Sequence, residues 1–213
     1  MFNVKDQAVY LNALNAELMP ALGCTEPIAL ALAAAKAKEV LGSFPQRIDV
    51  YCSGNIIKNV KSVRVPHAGD LRGVEAAVIM GAIAGRSERQ LQVLEGASEE
   101  DVAEAKRLLA EGCCTCLLEK GKDNLYVRVC AYGSESSACV TIERFHTNIT
   151  KVEKNGQVIF ENEEGREDKA SHRYAMSLEG ILEFADRVEM KDVSGVIGRQ
   201  IECNSAIAGE GSR

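Results

Sequence analysis

The chain of 213 residues is long enough to bury about 70% of its unfolded surface, as one large domain or two small ones. Its 25 Lys and Arg against 31 Asp and Glu give a net charge of -6 with no basic stripe, which argues against a nucleic-acid partner and for small molecules. No apolar run is long enough to span a bilayer, and residues 1–6 lack the basic and apolar regions of a signal peptide, so a cytoplasmic protein with no membrane partner is expected. Cysteines stand at 24, 52, 113, 114, 116, 130, 139 and 203. A chain of this size does not need disulfides and the cytoplasm keeps thiols reduced, so all are read as free.

In chain order, residues 4–19 carry Val9, Leu11, Leu14 and Leu18 at spacings that include three- and four-residue steps, and Pro20 stops the helix they predict. Gly23-Cys24-Thr25-Glu26-Pro27 then sets a cysteine on a tight turn at the N-terminus of a second helix, residues 28–41. The dipole there would favour a thiolate, while a buried inert Cys beside an ordinary capped helix is the other reading. Thr25 or Glu26 is placed to cap this helix. Its alanines at 29, 31, 33, 34, 35 and 37 leave nearly every face small, which suits a central, largely buried helix. Residues 47–52 alternate as a half-buried strand and deliver the chain to Ser53-Gly54-Asn55.

The polar groups of Asn55, Lys58 and Asn59 are able to hold a carboxylate or an amide, and a solvated turn is the plainer alternative. A glycine-bearing loop, residues 67–73, opens onto a helical pattern over 74–80. Residues 98–112 read as a capped helix with an acidic first turn. Strand patterns follow at 115–119, 126–132, 138–145, 148–152 and 158–160, separated mostly by short polar turns that favour an antiparallel meander. Cys113, Cys114 and Cys116 lack a second ligand pair at metal spacing and read as strand residues. His146-Thr147-Asn148 sits between two strands, where a side chain can be aimed into a cleft. A charged linker occupies 163–175, and Ser177 caps a helix with Leu178, Ile181, Leu182, Ala185 and Val188 on one face and Phe184 at its edge, followed by a stretch of mixed apolar and small residues over 193–207.

Four stretches, in order, carry a resemblance: Glu17 through Cys24 to Leu30; Ser53 to Asn59; Val65-Pro66 leading into Gly73-Val74-Glu75 and Gly81-Ala82-Ile83; and His146-Thr147-Asn148-Ile149. Together they resemble the first half of the L-cysteine desulfidase family, iron-sulfur lyases related to the serine dehydratase alpha chain. The resemblance implies β-elimination from a small amino-acid substrate, giving pyruvate, ammonia and sulfide. It aligns Cys24 with the proton acceptor of that reaction and assigns substrate binding to Thr25, Glu26, Asn55, Lys58, Asn59, His146, Thr147 and Asn148. It also implies a [4Fe-4S] cluster in the full-length family, with cysteine ligands that are not in this chain.

The expectation is therefore an α+β fold, Ala-rich central helices on an antiparallel β-meander with a C-terminal helical extension. Its parts are an α+β domain over 1–162, the linker over 163–175 and the helical start of a further domain over 176–213. The stripe near Leu182 predicts a homo-oligomer, with folding back onto the first domain as the alternative that would satisfy it. Two other functions stay open: an L-serine dehydratase-like iron-sulfur enzyme, and a non-catalytic binding or assembly domain left by truncation. This chain alone is expected to be inactive, since the cluster ligands are missing.

Overall fold

The computed structural model describes residues 4–21, 23–162 and 176–212, so the expected linker at 163–175 lies outside the described residues. The chain divides into two compact units, Ala21–Arg166 on the one hand and Met1–Pro20 with Glu167–Arg213 on the other.

The larger unit is built on helix α2, Thr25–Leu41. Pro27 falls in its first turn, where a missing N–H costs nothing, and Gly42 ends it in the left-handed conformation with its N–H on the Lys38 carbonyl. Apolar residues on all sides make it a core helix: Ile28, Leu30, Leu32 and the alanines at 29, 31, 33, 34, 35 and 37 are buried. The second core helix, Val74–Ala84, lies against it. Their approach requires Gly81, because a Cβ there would collide with the backbone of Ala31. Helix α2 also packs on the central strands of a six-stranded sheet.

The sheet comprises β1 (Arg47–Cys52), β2 (Cys114–Leu118), β3 (Tyr126–Tyr132), β4 (Ser137–Glu143), β5 (Ile149–Lys154) and β6 (Gln157–Glu161), in the spatial order β2-β1-β3-β4-β5-β6. From β3 to β6 it is the expected antiparallel meander, and the fold is α+β. One pairing departs from the meander: β2 runs parallel to β1. The chain between them forms α3 (Gly54–Val60), α4 (the Val74–Ala84 helix) and α5 (Glu99–Glu111), and a helical crossover returns a strand in its original direction. Alternation along β3 and β4 turns Val127, Val129, Ala131, Val140 and Ile142 onto the helices. Tyr126, Arg128, Cys130, Cys139, Thr141 and Glu143 alternate with them and so take the other face.

Not all cysteines are free. Cys130 and Cys139 are direct cross-strand partners of β3 and β4 and form a disulfide. Pairing opposite residues of adjacent strands brings two Cβ atoms within bridging distance whatever the size of the core, a route that chain length does not exclude.

The smaller unit contains α1 (Val4–Glu17), α6 (Leu178–Arg187) and α7 (Met190–Gly211). Its core is Tyr10 stacked on Phe184, ring centroids 5.2 Å apart, with Val193 and the flanking Leu11, Leu14 and Val188. The Ser177 hydroxyl accepts from the Gly180 N–H and caps α6 as its sequence predicts. The buried side of α6 is not the predicted stripe. Phe184 turns inward while Leu178, Ile181 and Leu182 remain 70%, 44% and 60% exposed. No described helix is long and apolar enough to cross a membrane.

Candidate functional site: a thiol, a carboxylate and an imidazole

The start of α2 gathers five of the nine residues singled out in the sequence. Gly23 takes φ 137°, a region closed to side chains, and its α-carbon passes beside Pro66. This turn makes Cys24 the N-cap residue of α2, with no capping hydrogen bond from its side chain. Neither Thr25 nor Glu26 caps the helix, since both already lie within its first turn. The uncapped thiol instead donates to Glu26 Oε2 at 3.1 Å. Asn59, on α3, donates to the other carboxylate oxygen at 3.4 Å. The Thr25 hydroxyl lies 3.1 Å from His146 Nε2, which brings in the turn between β4 and β5 from 121 residues away in sequence. Cys24, Thr25, Glu26 and His146 are all half-buried.

Each protonation state has a physical cause. Burial pushes the Cys24 thiol above its ordinary value, and its hydrogen bond to the Glu26 carboxylate pushes it further, because an anion beside sulfur opposes a second one. Burial alone would raise Glu26. The hydrogen bonds from Cys24 and the backbone, the charge of His146 and the Asn59 amide together outweigh it and hold the carboxyl below its ordinary value. Burial lowers His146, with Glu26 opposing. At neutral pH the group is therefore a protonated thiol, an ionised carboxylate and a neutral imidazole. The thiolate expected from the helix dipole is disfavoured at rest, because burial and the carboxylate two residues on together outweigh the dipole's half-charge.

The remaining site residues fall around this group without joining its hydrogen bonds. Residues 54–60 form helix α3 rather than a turn, started by the Ser53 hydroxyl accepting from the Ile56 N–H. Asn55 stands one helical turn before Asn59, and both it and Lys58 are exposed. Asn148 spends its side-chain N–H on the Glu143 carbonyl at 2.9 Å, tying down the turn that carries His146, and Thr147 is half-buried in the same turn.

A second thiol grouping lies on the parallel strands. Cys52 and Cys116 share a hydrogen bond that raises Cys52 and lowers Cys116, and burial raises Cys114 beside them, with Glu75 adding to each rise. Among the described residues, no group of three or more His, Cys, Asp or Glu is placed to hold a metal ion. The described residues therefore do not fit a [4Fe-4S] cluster.

The fold and this group define an α+β domain with a thiol hydrogen-bonded to a carboxylate, and an imidazole held by Thr25 beside them, at the mouth of its central helix. Its relatives carry a shared name. The chain is 47% identical over 204 residues to a UPF0597 protein of Lachnoclostridium phytofermentans, covering 95% of this chain and 49% of that protein. It is 43% identical to a UPF0597 protein of Finegoldia magna over 95% of this chain and 49% of that protein, and 39% identical to the UPF0597 protein YhaM of Salmonella gallinarum over 96% and 48%. The chain thus spans about half the length of the curated relatives it matches. No family model matches it. No solved structure matches it either.

These comparisons correct the reading of the chain as the N-terminal half of an L-cysteine desulfidase: the matched proteins are UPF0597 proteins, a name that states no activity. The physical reason is plain in the structure. Gly23, Cys24 and Pro27 specify a turn and a helix start, and Gly81 a helix contact; neither specifies a leaving group.

Proposed function

We propose that the group at the start of α2 is the proton-transfer centre of a lyase that eliminates sulfide or water from a small β-substituted amino acid. The observation that carries this reading is the Cys24 thiol donating to an ionised Glu26 at 3.1 Å. A thiolate of ordinary acidity is a weak base toward a carbon-bound proton, and raising the thiol's pKa strengthens the base it becomes. The Cys24 proton passes to Glu26 Oε2 as sulfur takes the proton from the substrate's α-carbon. The electron pair left on that carbon forms a double bond to the β-carbon, and the bond from the β-carbon to sulfur or oxygen breaks with its pair on the leaving group. Glu26, now protonated, returns its proton to that group with His146 beside it. The enamine product becomes an imine and hydrolyses to pyruvate and ammonia.

Asn55 and Lys58, exposed on the same short helix as Asn59, are the groups we assign to the substrate's carboxylate, Lys58 as a point charge. Thr147 and Asn148 support the turn that presents His146. The reaction belongs to a protein or assembly in which this chain supplies the proton handling. The test is pyruvate release from L-cysteine and from L-serine, under anaerobic conditions, by the purified protein or assembly that carries this chain. Pyruvate from one of them, falling by about 100-fold or more in Cys24→Ala and in Glu26→Gln, is the expected result. No pyruvate from either, or release indifferent to both substitutions, overturns the reading.

A further inference from the structure

On the sheet face away from α2 there is a cavity of about 280 Å³ that the proposed reaction does not use. Donors line one part of it. Arg128 reaches it from β3 with one guanidinium nitrogen on Glu153 Oε2 at 2.9 Å, while its buried Nε has no acceptor among the described residues. Thr141, 6% exposed, and Tyr126, 5% exposed, add hydroxyls, and Lys122 stands over the Tyr126 ring at 4.8 Å. Carboxylates line another part, with Glu143 accepting from the Thr150 hydroxyl and Glu161 at the end of β6, and Lys151 stands there 3.4 Å from Glu153.

This arrangement is not that of an ordinary solvated sheet face. Hydroxyl-bearing residues in its lining are almost wholly buried, and beside them the partly exposed Arg128 keeps one buried donor, Nε, unspent among the described residues. Buried polar groups are rarely left so. The cavity is also too small and too polar for an apolar cofactor, and its mixed charge disfavours a polyanion. We propose that it binds a small zwitterion of the α-amino-acid type. The ligand's carboxylate bonds to the Arg128 guanidinium and the Thr141 hydroxyl, and its ammonium faces Glu143 and Glu161. The site is separate from Cys24, although the turn carrying His146 begins at Glu143, so one short loop borders both.

The experiment is a titration of the isotope-labelled full chain with L-serine, with acetate and with ethylamine, read residue by residue from amide chemical shifts. L-Serine is expected to move the amides of Arg128, Thr141 and Glu143 saturably, and acetate or ethylamine to do so at least about tenfold more weakly. Arg128→Gln and Thr141→Val, the second a shape-conserving change, are each expected to weaken that response about tenfold and to leave any response at residues 24–26 unchanged. Absence of a response at these three amides overturns the proposal. So does acetate matching L-serine, which makes the site one for simple anions, or affinity unmoved in the folded Thr141→Val protein. None of these outcomes depends on the Cys24 reaction, which is read by pyruvate alone.

Discussion

Helices α2 and α7 show two ways for a chain to be helical. Over its 17 residues α2 is buried on nearly every side, whereas α7, with 22, buries only Val193. Small side chains produce both outcomes. In α2 the alanines allow a neighbour to approach until Gly81 touches the Ala31 backbone. In α7, a Cβ added at Gly195, Gly198, Gly209 or Gly211 would meet nothing within 4 Å, so at those four positions the same smallness meets no neighbour among the described residues. Composition permits close packing, and only a complementary neighbour turns that permission into stability.

The strongest way to break the comparison is to remove the intimacy of α2. Gly81→Val drives a side chain into backbone that cannot move aside, and is expected to cost at least about 3 kcal/mol of stability in the larger unit by chemical denaturation. A cost under about 0.5 kcal/mol would mean the two helices part easily.

The second sharpens the account of the smaller unit. Leu178, Leu182 and Ile201 are 70%, 60% and 61% exposed, a surplus of apolar surface that the expected homo-oligomer would cover. Sedimentation at about tens of micromolar should show a dimer, and Leu182→Lys should shift it toward monomer. A wild-type monomer at that concentration refutes self-association.

The smallest effect compares one thiol on each helix. Cys203 on α7 is exposed, and Cys24 at the head of α2 is half-buried with its acidity suppressed. Alkylation at neutral pH should reach Cys203 first, with the Cys24 rate still climbing at alkaline pH. Glu26→Gln removes the opposing charge and should speed Cys24 severalfold at neutral pH while Cys203 is unmoved. The stability counterpart lies on the acid side. Glu26 is held below its ordinary pKa, so its contribution is complete above the unfolded carboxylate value and is lost as pH falls through the lower folded one. His146, likewise lowered, contributes fully above the unfolded imidazole value and less as pH falls below it.

Local order was readable where one period or one cap decides. Ala-rich spacing placed α2, Ser98 and its acidic turn placed α5, and alternation placed β3 to β5. What depended on pairing across the chain was not. Nothing in residues 114–118 says that they lie parallel to β1, because direction is set by the helices between. The Thr25 to His146 contact joins segments whose meeting only the completed sheet determines. Two misreadings did have local signals. A four-residue loop, 133–136, places Cys130 opposite Cys139 by simple counting, and Glu26 stands two residues from the thiol it restrains.

The Gly23 turn places the Cys24 thiol on the residue just before a deeply buried helix. A group anchored there inherits the stiffness of the core, and reacting atoms misplaced by about 1 Å can lose about 100-fold in rate. Loops often let a protein trade accuracy at its chemistry for tolerance elsewhere. Here that separation is missing: a substitution deep along α2 that merely loosens its seat would blunt the proposed chemistry before the protein unfolds, so that proposed activity should age with the core.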